Sequence, residues 1–150
     1  MFAQRDALAA EGKTAVRRRL SIPLEAPVLV YIGRLIREKG TDMLLDAWDL
    51  LTKETSASLL IIGDGPERAA MEAEVSSRSL QGVRFLGTLL REEAAPWLYA
   101  SDLMLMPGYL GLAVNHAFAF GVPVVSLRHP AGGEKFHSPE VEYVLSLIHI

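Results

Sequence analysis

Two stretches of this sequence carry residues suited to binding an anion. The first is Pro107-Gly108-Tyr109-Leu110-Gly111-Leu112, which follows an apolar run and opens into a short helical pattern whose only strongly polar side chains are Asn115 and His116. A glycine-rich turn feeding a helix presents bare backbone N–H groups at the positive end of the helix dipole, which is chemistry for a phosphate. The second is Gly33-Arg34-Leu35-Ile36-Arg37-Glu38-Lys39-Gly40, which also closes an apolar run. Arg34 and Lys39 at that spacing could flank one phosphate, Arg34 with a planar fork of donors and Lys39 as a point charge. On spacing alone, two solvated loop cations are the stronger reading.

The elements around these loops decide where they sit. Leu103 to Leu127 contains no Asp, Glu, Lys or Arg, and about twenty such residues are enough to cross a bilayer. Pro107, Gly108, Gly111, Gly121 and Pro123 cut it into pieces too short to do so, reading as strand, turn, helix, turn, strand. The run Leu103–Met106 does not alternate, as expected of a parallel strand covered on both faces. Further strands are expected at Val28–Ile32, Leu59–Ile62, Val83–Leu86 and Val122–Ser126. Helices are expected over Phe2–Leu20, from an N-cap at Thr41 or Asp42 to about Thr52, and over Arg68–Ser77, Arg91–Ala100 and Leu112–Phe120. Strict alternation of strand and helix predicts an α/β fold, a doubly wound parallel sheet of about five strands. Such sheets bind ligands outside the carboxyl ends of their strands, where both loops would lie.

Composition narrows the class. Half of the 150 residues are apolar and 22% charged, the balance of a globular domain. Fifteen Lys+Arg against 18 Asp+Glu give a net charge of -3, which offers no support for a nucleic-acid partner. Absence of Cys removes disulfides and thiolate chemistry, and the scattered His116, His129 and His137 suggest no metal site. Met1–Ala10 has charges and no apolar core, so no signal peptide is read and a cytoplasmic location is the expectation. Arg17-Arg18-Arg19 reads as a solvated helix end, Asp64 as a turn residue, and Trp97 and Tyr99 as packing residues. Ser138-Pro139-Glu140 reads as a helix start that places Glu140 and Glu142 near its positive end. Leu145-Ser146-Leu147-Ile148-His149-Ile150 resembles the translation of a library adaptor and is set aside as foreign to the fold. Residues 1–26 are then an N-terminal helix and linker, 27–144 the domain proper, and 145–150 a non-native tail.

Four segments together carry a family likeness. They are Tyr31-Ile32-Gly33-Arg34-Leu35 with Lys39-Gly40, Ile61-Ile62-Gly63-Asp64-Gly65-Pro66, Val83-Arg84-Phe85-Leu86-Gly87, and Gly121-Val122-Pro123-Val124-Val125. In order and spacing they resemble the GT-B glycosyltransferases of family 4, from about Pro27 to Val144. The resemblance implies the Rossmann-like C-terminal half that binds a nucleotide-sugar donor. The N-terminal half, which binds the acceptor, would be missing, so the fragment alone should not catalyse transfer. It implies sugar transfer to a glycan or lipid-linked acceptor, with retention of configuration, no metal and no cofactor, and leaves the catalytic residue unknown. Arg34 and Lys39 take the role of cations on the donor diphosphate, and the amides of Gly111 and Leu112 hold phosphate oxygens. The family places the loop after Leu86 beside the base; Arg84 itself reads as a strand residue.

The sequence also departs from that family. The usual Glu-x7-Glu pair falls on Gly108 and His116, so both carboxylates are absent, as in a subgroup with a Pro-Gly-x-x-Gly-Leu loop, an Asn-His pair and a later Pro-Glu-x-Glu-Tyr segment. Asn115, His116, Glu140 and Glu142 are the implied contacts to ribose or sugar. His116 could donate to a ribose hydroxyl or, protonated, add charge near the diphosphate; a His satisfied within a packed helix is the alternative. The missing pair also leaves open a non-catalytic nucleotide-sugar-binding or scaffolding domain. A receiver-type domain is disfavoured, because its first strand would end in acidic residues and this one ends in Gly33-Arg34. Docking on the inner face of a membrane stays open for the full-length enzyme.

Overall fold

A computed structural model describes residues 2–127 of the chain. Five parallel strands, β1 (Val28–Ile32), β2 (Ser58–Ile62), β3 (Val83–Gly87), β4 (Leu103–Met106) and β5 (Val124–Ser126), form one sheet in the order β3-β2-β1-β4-β5. The two most apolar runs, VLVYI and SLLII, become the central β1 and its neighbour β2, paired from Val28 opposite Ser58 to Ile32 opposite Ile62. Such runs suit only a sheet covered on both faces, and Val28, Val30, Tyr31, Leu59, Leu60 and Ile61 are all fully buried. The cover comes from α1 (Phe2–Glu11), α2 (Lys13–Arg19), α3 (Thr41–Glu54), α4 (Arg68–Ser77), α5 (Arg91–Ala100) and α6 (Ala113–Ala119). Helices α3 and α4 pack together, while α1, α2 and α5 form a second group. Right-handed crossovers that reverse direction at β1 put the two groups on opposite faces.

Each layer is locked by a few specific groups. On one side Trp48 of α3 is completely buried, and its indole N–H donates to the Gln81 carbonyl at 2.9 Å. Arg78 at the end of α4 bridges to Asp46 and Asp49 of α3 and to Glu74 of its own helix. On the other side the Arg84 guanidinium lies 5.1 Å from the centre of the Trp97 ring. Trp97 and Tyr99 are half-buried against the core, in keeping with a packing role.

Four local expectations need correction. The N-terminal segment is two helices, not one over Phe2–Leu20: Gly12 adopts φ 87° and ψ 141° between α1 and α2. After proline, glycine weakens a helix interior most, and it tolerates positive φ without strain. The break turns α2 so that Val16 is fully buried. Second, the basic triplet is not wholly solvated. Arg17 is only 7% exposed; it donates to the carbonyls of Ala100 and Leu24 and, at 2.6 Å, to the Asp102 carboxylate. Asp102 also accepts from Lys13 and from the Val28 N–H, so one carboxylate joins α2 to the first residue of β1. Third, α3 starts without a side-chain cap; its N-cap is Gly40, in the left-handed region at φ 69°, rather than Thr41 or Asp42. Finally, α6 is shorter than Leu112–Phe120 at both ends, and β5 begins at Val124 because Pro123 has no N–H to give the ladder.

Candidate functional site

The chain steps outward from β1 to β2 to β3, then returns to lay β4 against the other edge of β1. Crevices at such a reversal, beyond the carboxyl ends of the strands, are where open α/β sheets take ligands. Residues 33–40 after β1 and 107–112 after β4 flank this crevice, so the fold brings together the two loops singled out by their residues.

The loops are fastened to each other. The Tyr109 N–H donates to the Glu38 carbonyl at 3.0 Å. The Lys39 ammonium donates to the carbonyls of Tyr109 at 2.8 Å and Leu110 at 3.2 Å. Backbone approaches are closer still: a Cβ on Gly108 would stand 2.3 Å from the Lys39 carbonyl carbon and 2.5 Å from the Gly40 nitrogen. Gly108 is therefore a packing necessity. Gly111 lies on the same lysine, a Cβ there falling 3.2 Å from Lys39 Nζ. Lys39 thus acts as a clasp on the glycine-rich loop, a role that spacing within its own loop could not reveal.

Arg34 is presented differently. Its side chain is exposed and has no hydrogen-bond or ion-pair partner among the described residues. Its backbone is held: the Arg34 carbonyl accepts from the Tyr31 hydroxyl at 3.0 Å and from the Ile36 N–H at 3.1 Å. Next to it, buried Leu35 donates to the Asp64 carbonyl and accepts from the Glu67 N–H. Asp64 behaves as the turn residue expected of it, its carboxylate accepting from the Gly65 N–H and from Arg68. Those contacts, the Gly65 amide foremost, hold its carboxyl below the usual carboxylate range.

The helix after the glycine-rich loop carries the other two candidate residues. Helix α6 has seven residues, with Leu112 at its N-cap 71% exposed and Asn115 exposed one turn in. His116 faces α1 and α5, lining a recess of about 210 Å³ with Gln4, Arg91, Glu92, Leu98 and Phe120. Partial burial, helped by the positive charge of Arg91, lowers its pKa from the ordinary histidine value. A lowered pKa favours the neutral imidazole, which can still donate or accept a hydrogen bond. No hydrogen bond or ion pair among the described residues joins it to Arg34 or Lys39. Glu140 and Glu142, and the expected helix that carries them, lie outside the described residues, as do His129, His137 and the tail 145–150. Among the described residues no cluster of three or more His, Asp or Glu side chains is placed to hold a metal ion. No helix there is long and apolar enough to cross a membrane.

Comparison with known proteins bears on the family and the fold. Residues 26–144 match the model of the family described as glycosyl transferases group 1. The chain is 36% identical over 123 residues to a D-inositol 3-phosphate glycosyltransferase of Corynebacterium diphtheriae, a match covering 75% of this chain and 29% of that protein. Among solved structures it is similar to sucrose-phosphate synthase from Thermosynechococcus elongatus, with a TM-score of 0.65 and 30% identity over 74% of this chain and 30% of that one. It shares its fold, with a TM-score of 0.65 and 20% identity, with the C-terminal domain of a group 1 family glycosyl transferase, LpcC, from Francisella tularensis, covering 93% of this chain and 84% of that domain. The chain spans about three tenths of the length of the curated relative.

Proposed function

The chain belongs to the group 1 glycosyltransferases, and on that premise we propose that it is the C-terminal, donor-binding half of a GT-B enzyme of family 4. The proposed reaction moves a sugar from a nucleotide diphosphate sugar to a glycan or lipid-linked acceptor, with retention and without a metal or other cofactor. The acceptor would be held by an N-terminal half, so this chain alone would bind donor without transferring it. The observation that carries the reading is the switch-point crevice, flanked on one side by the loop that bears an exposed Arg34 on a pinned backbone and on the other by a glycine-rich loop clasped by Lys39.

In this reading Arg34 takes two oxygens of the diphosphate in its fork, and Lys39 lends its charge from beneath the loop. Amides of Gly111 and Leu112 take further phosphate oxygens. These groups are in place before the bond to the sugar breaks, so they stabilise the departing diphosphate without reorganising, which is how preorganised charge lowers a barrier. The enzyme would fall in the subgroup lacking the Glu-x7-Glu pair. The close approach of Gly108 to Lys39 supports that, since no side chain fits at the position of the first Glu. Asn115 and a neutral His116 contact ribose or sugar by hydrogen bonding, with Glu140 and Glu142 as the remaining carboxylates near them. The working place is the cytoplasm, with docking on the inner face of a membrane for the complete enzyme.

One observation favours a second reading, a non-catalytic nucleotide-sugar-binding domain. The ammonium of Lys39 is already engaged with two carbonyls. Calorimetric titration of the chain with UDP, GDP and ADP tests the donor site: one diphosphate binds, and Arg34→Ala weakens it roughly 10- to 100-fold, the worth of a charge-assisted hydrogen-bonded contact. No binding by the folded chain sinks the donor site. Sugar transfer by the full-length protein that survives Arg34→Ala unchanged sinks the assignment of Arg34.

A further inference from the structure

We infer that the hydroxyl of Tyr31, through its hydrogen bond to the Arg34 carbonyl, is the positioning group that sets where the Arg34 guanidinium stands in the crevice. The inference deepens the donor-site reading and rests on it. Tyr31 is the fourth residue of β1 and is fully buried, with its ring against the chain turn it serves: a Cβ on Gly33 would lie 3.2 Å from the Tyr31 oxygen. From there the hydroxyl donates to the Arg34 carbonyl at 3.0 Å. Phenylalanine would fill the same core volume, so packing gives no reason for the oxygen. A buried hydroxyl is retained at a cost unless its hydrogen bond is made, and among the described residues the acceptor of this one is the carbonyl of the residue whose side chain carries the charge. Burial also pushes the phenol well above the usual tyrosine range, so it stays a donor at any working pH.

The mechanical argument is short. A long arginine side chain loses positional precision with every loose bond behind it, and one misplaced by about an ångström forfeits a bidentate contact. Leu35 is fixed by Asp64 and Glu67 on the β2 side. The Arg34 carbonyl is fixed by Tyr31 on the β1 side. Between them the Arg34 Cα is held while its side chain stays exposed, as a preorganised anion contact requires.

Tyr31→Phe and Arg34→Ala, alone and combined, are titrated with UDP, GDP and ADP by calorimetry, with circular dichroism reporting that each variant is folded. Tyr31→Phe is expected to weaken the diphosphate that binds by roughly three- to tenfold, the range of one net hydrogen bond. In the Arg34→Ala background it is expected to add nothing, because the group it positions is gone. A purely structural role would instead weaken binding equally in both backgrounds, and that result overturns the inference. So does unchanged affinity in Tyr31→Phe while Arg34→Ala is impaired. If Arg34→Ala itself binds like the wild type, or the folded wild type binds none of the three, the donor-site reading falls and takes the inference with it.

Discussion

Gly108 meets Lys39 backbone to backbone, so closely that a Cβ on the glycine would stand 2.3 Å from the lysine carbonyl carbon. The loops after β1 and β4 are in contact before any ligand arrives. Gly108→Ala must push them apart, and it is expected to destabilise the fold by roughly 1–3 kcal/mol, the cost of overpacking a tight site. Urea unfolding with an unchanged slope measures this. Gly108→Glu, which writes in the family's carboxylate, is expected to lose at least as much and to gain no affinity for the diphosphate. A Gly108→Glu chain as stable as the wild type would refute the close approach.

Lys39→Met keeps the stem and removes the ammonium, leaving the Tyr109 and Leu110 carbonyls without their shared donor. We expect a loss of about 1–3 kcal/mol, the desolvation cost of carbonyls left unpaired in a half-buried place. Amide exchange at residues 109–112 should rise faster than in the strands. Exchange confined to the wild-type pattern would mean the clasp is dispensable.

Asp102 makes a prediction in pH. Partial burial alone raises its carboxyl, but hydrogen bonds from Lys13, the Val28 amide and Arg17 outweigh it and leave the pKa below the ordinary value. A depressed carboxyl contributes stability that is complete above the unfolded value of about 3.9 and is lost as pH falls through the folded one. Asp102→Asn is expected to cost about 1–3 kcal/mol at pH 7. That is less than the ~3–5 kcal/mol of a fully buried pair, because the carboxylate side chain is 42% exposed. The gap between wild type and variant should close as pH drops below about 4, followed by denaturant melts across that range. A gap that persists in acid would detach the effect from ionisation.

His116 titrates below the ordinary histidine value, through burial first and the Arg91 charge second. Its folded pKa is depressed, so its contribution to stability is present above about pH 6.5 and is lost as pH falls through the folded value. Arg91→Gln removes the second cause and should move the His116 midpoint upward in a proton NMR titration. No movement would place the imidazole away from Arg91.

Much of this architecture is legible in the residues, because unalternating apolar runs between glycines leave a chain few options besides buried parallel strands. The runs at Val28, Leu59, Val83 and Leu103 all became strands, and Arg91–Ala100 is the expected helix. What spacing does not convey is which distant residue a side chain will meet. Arg17 read as a surface cation because its acid, Asp102, is 85 residues away. Lys39 read only as a cation because the carbonyls it clasps are 70 residues and more along the chain. The Gly12 break was written in the sequence, but an Ala-rich helical pattern outweighed a single glycine. Position along α6 likewise does not tell that His116 lines a recess with Gln4 of α1 and Arg91 and Leu98 of α5.

The position of β1 at the centre of the sheet has a bearing on how the protein is made. Its first partner, β2, follows within thirty residues, whereas Leu29 and Val30 await Leu103 and Met104 on the other edge. During synthesis a ribosome must lengthen the chain well past β3 while one side of its most apolar strand exposes unpaired N–H and C=O groups. An open apolar edge is a template for another nascent chain. Until β4 arrives to close that edge, this protein is at its most vulnerable to aggregation.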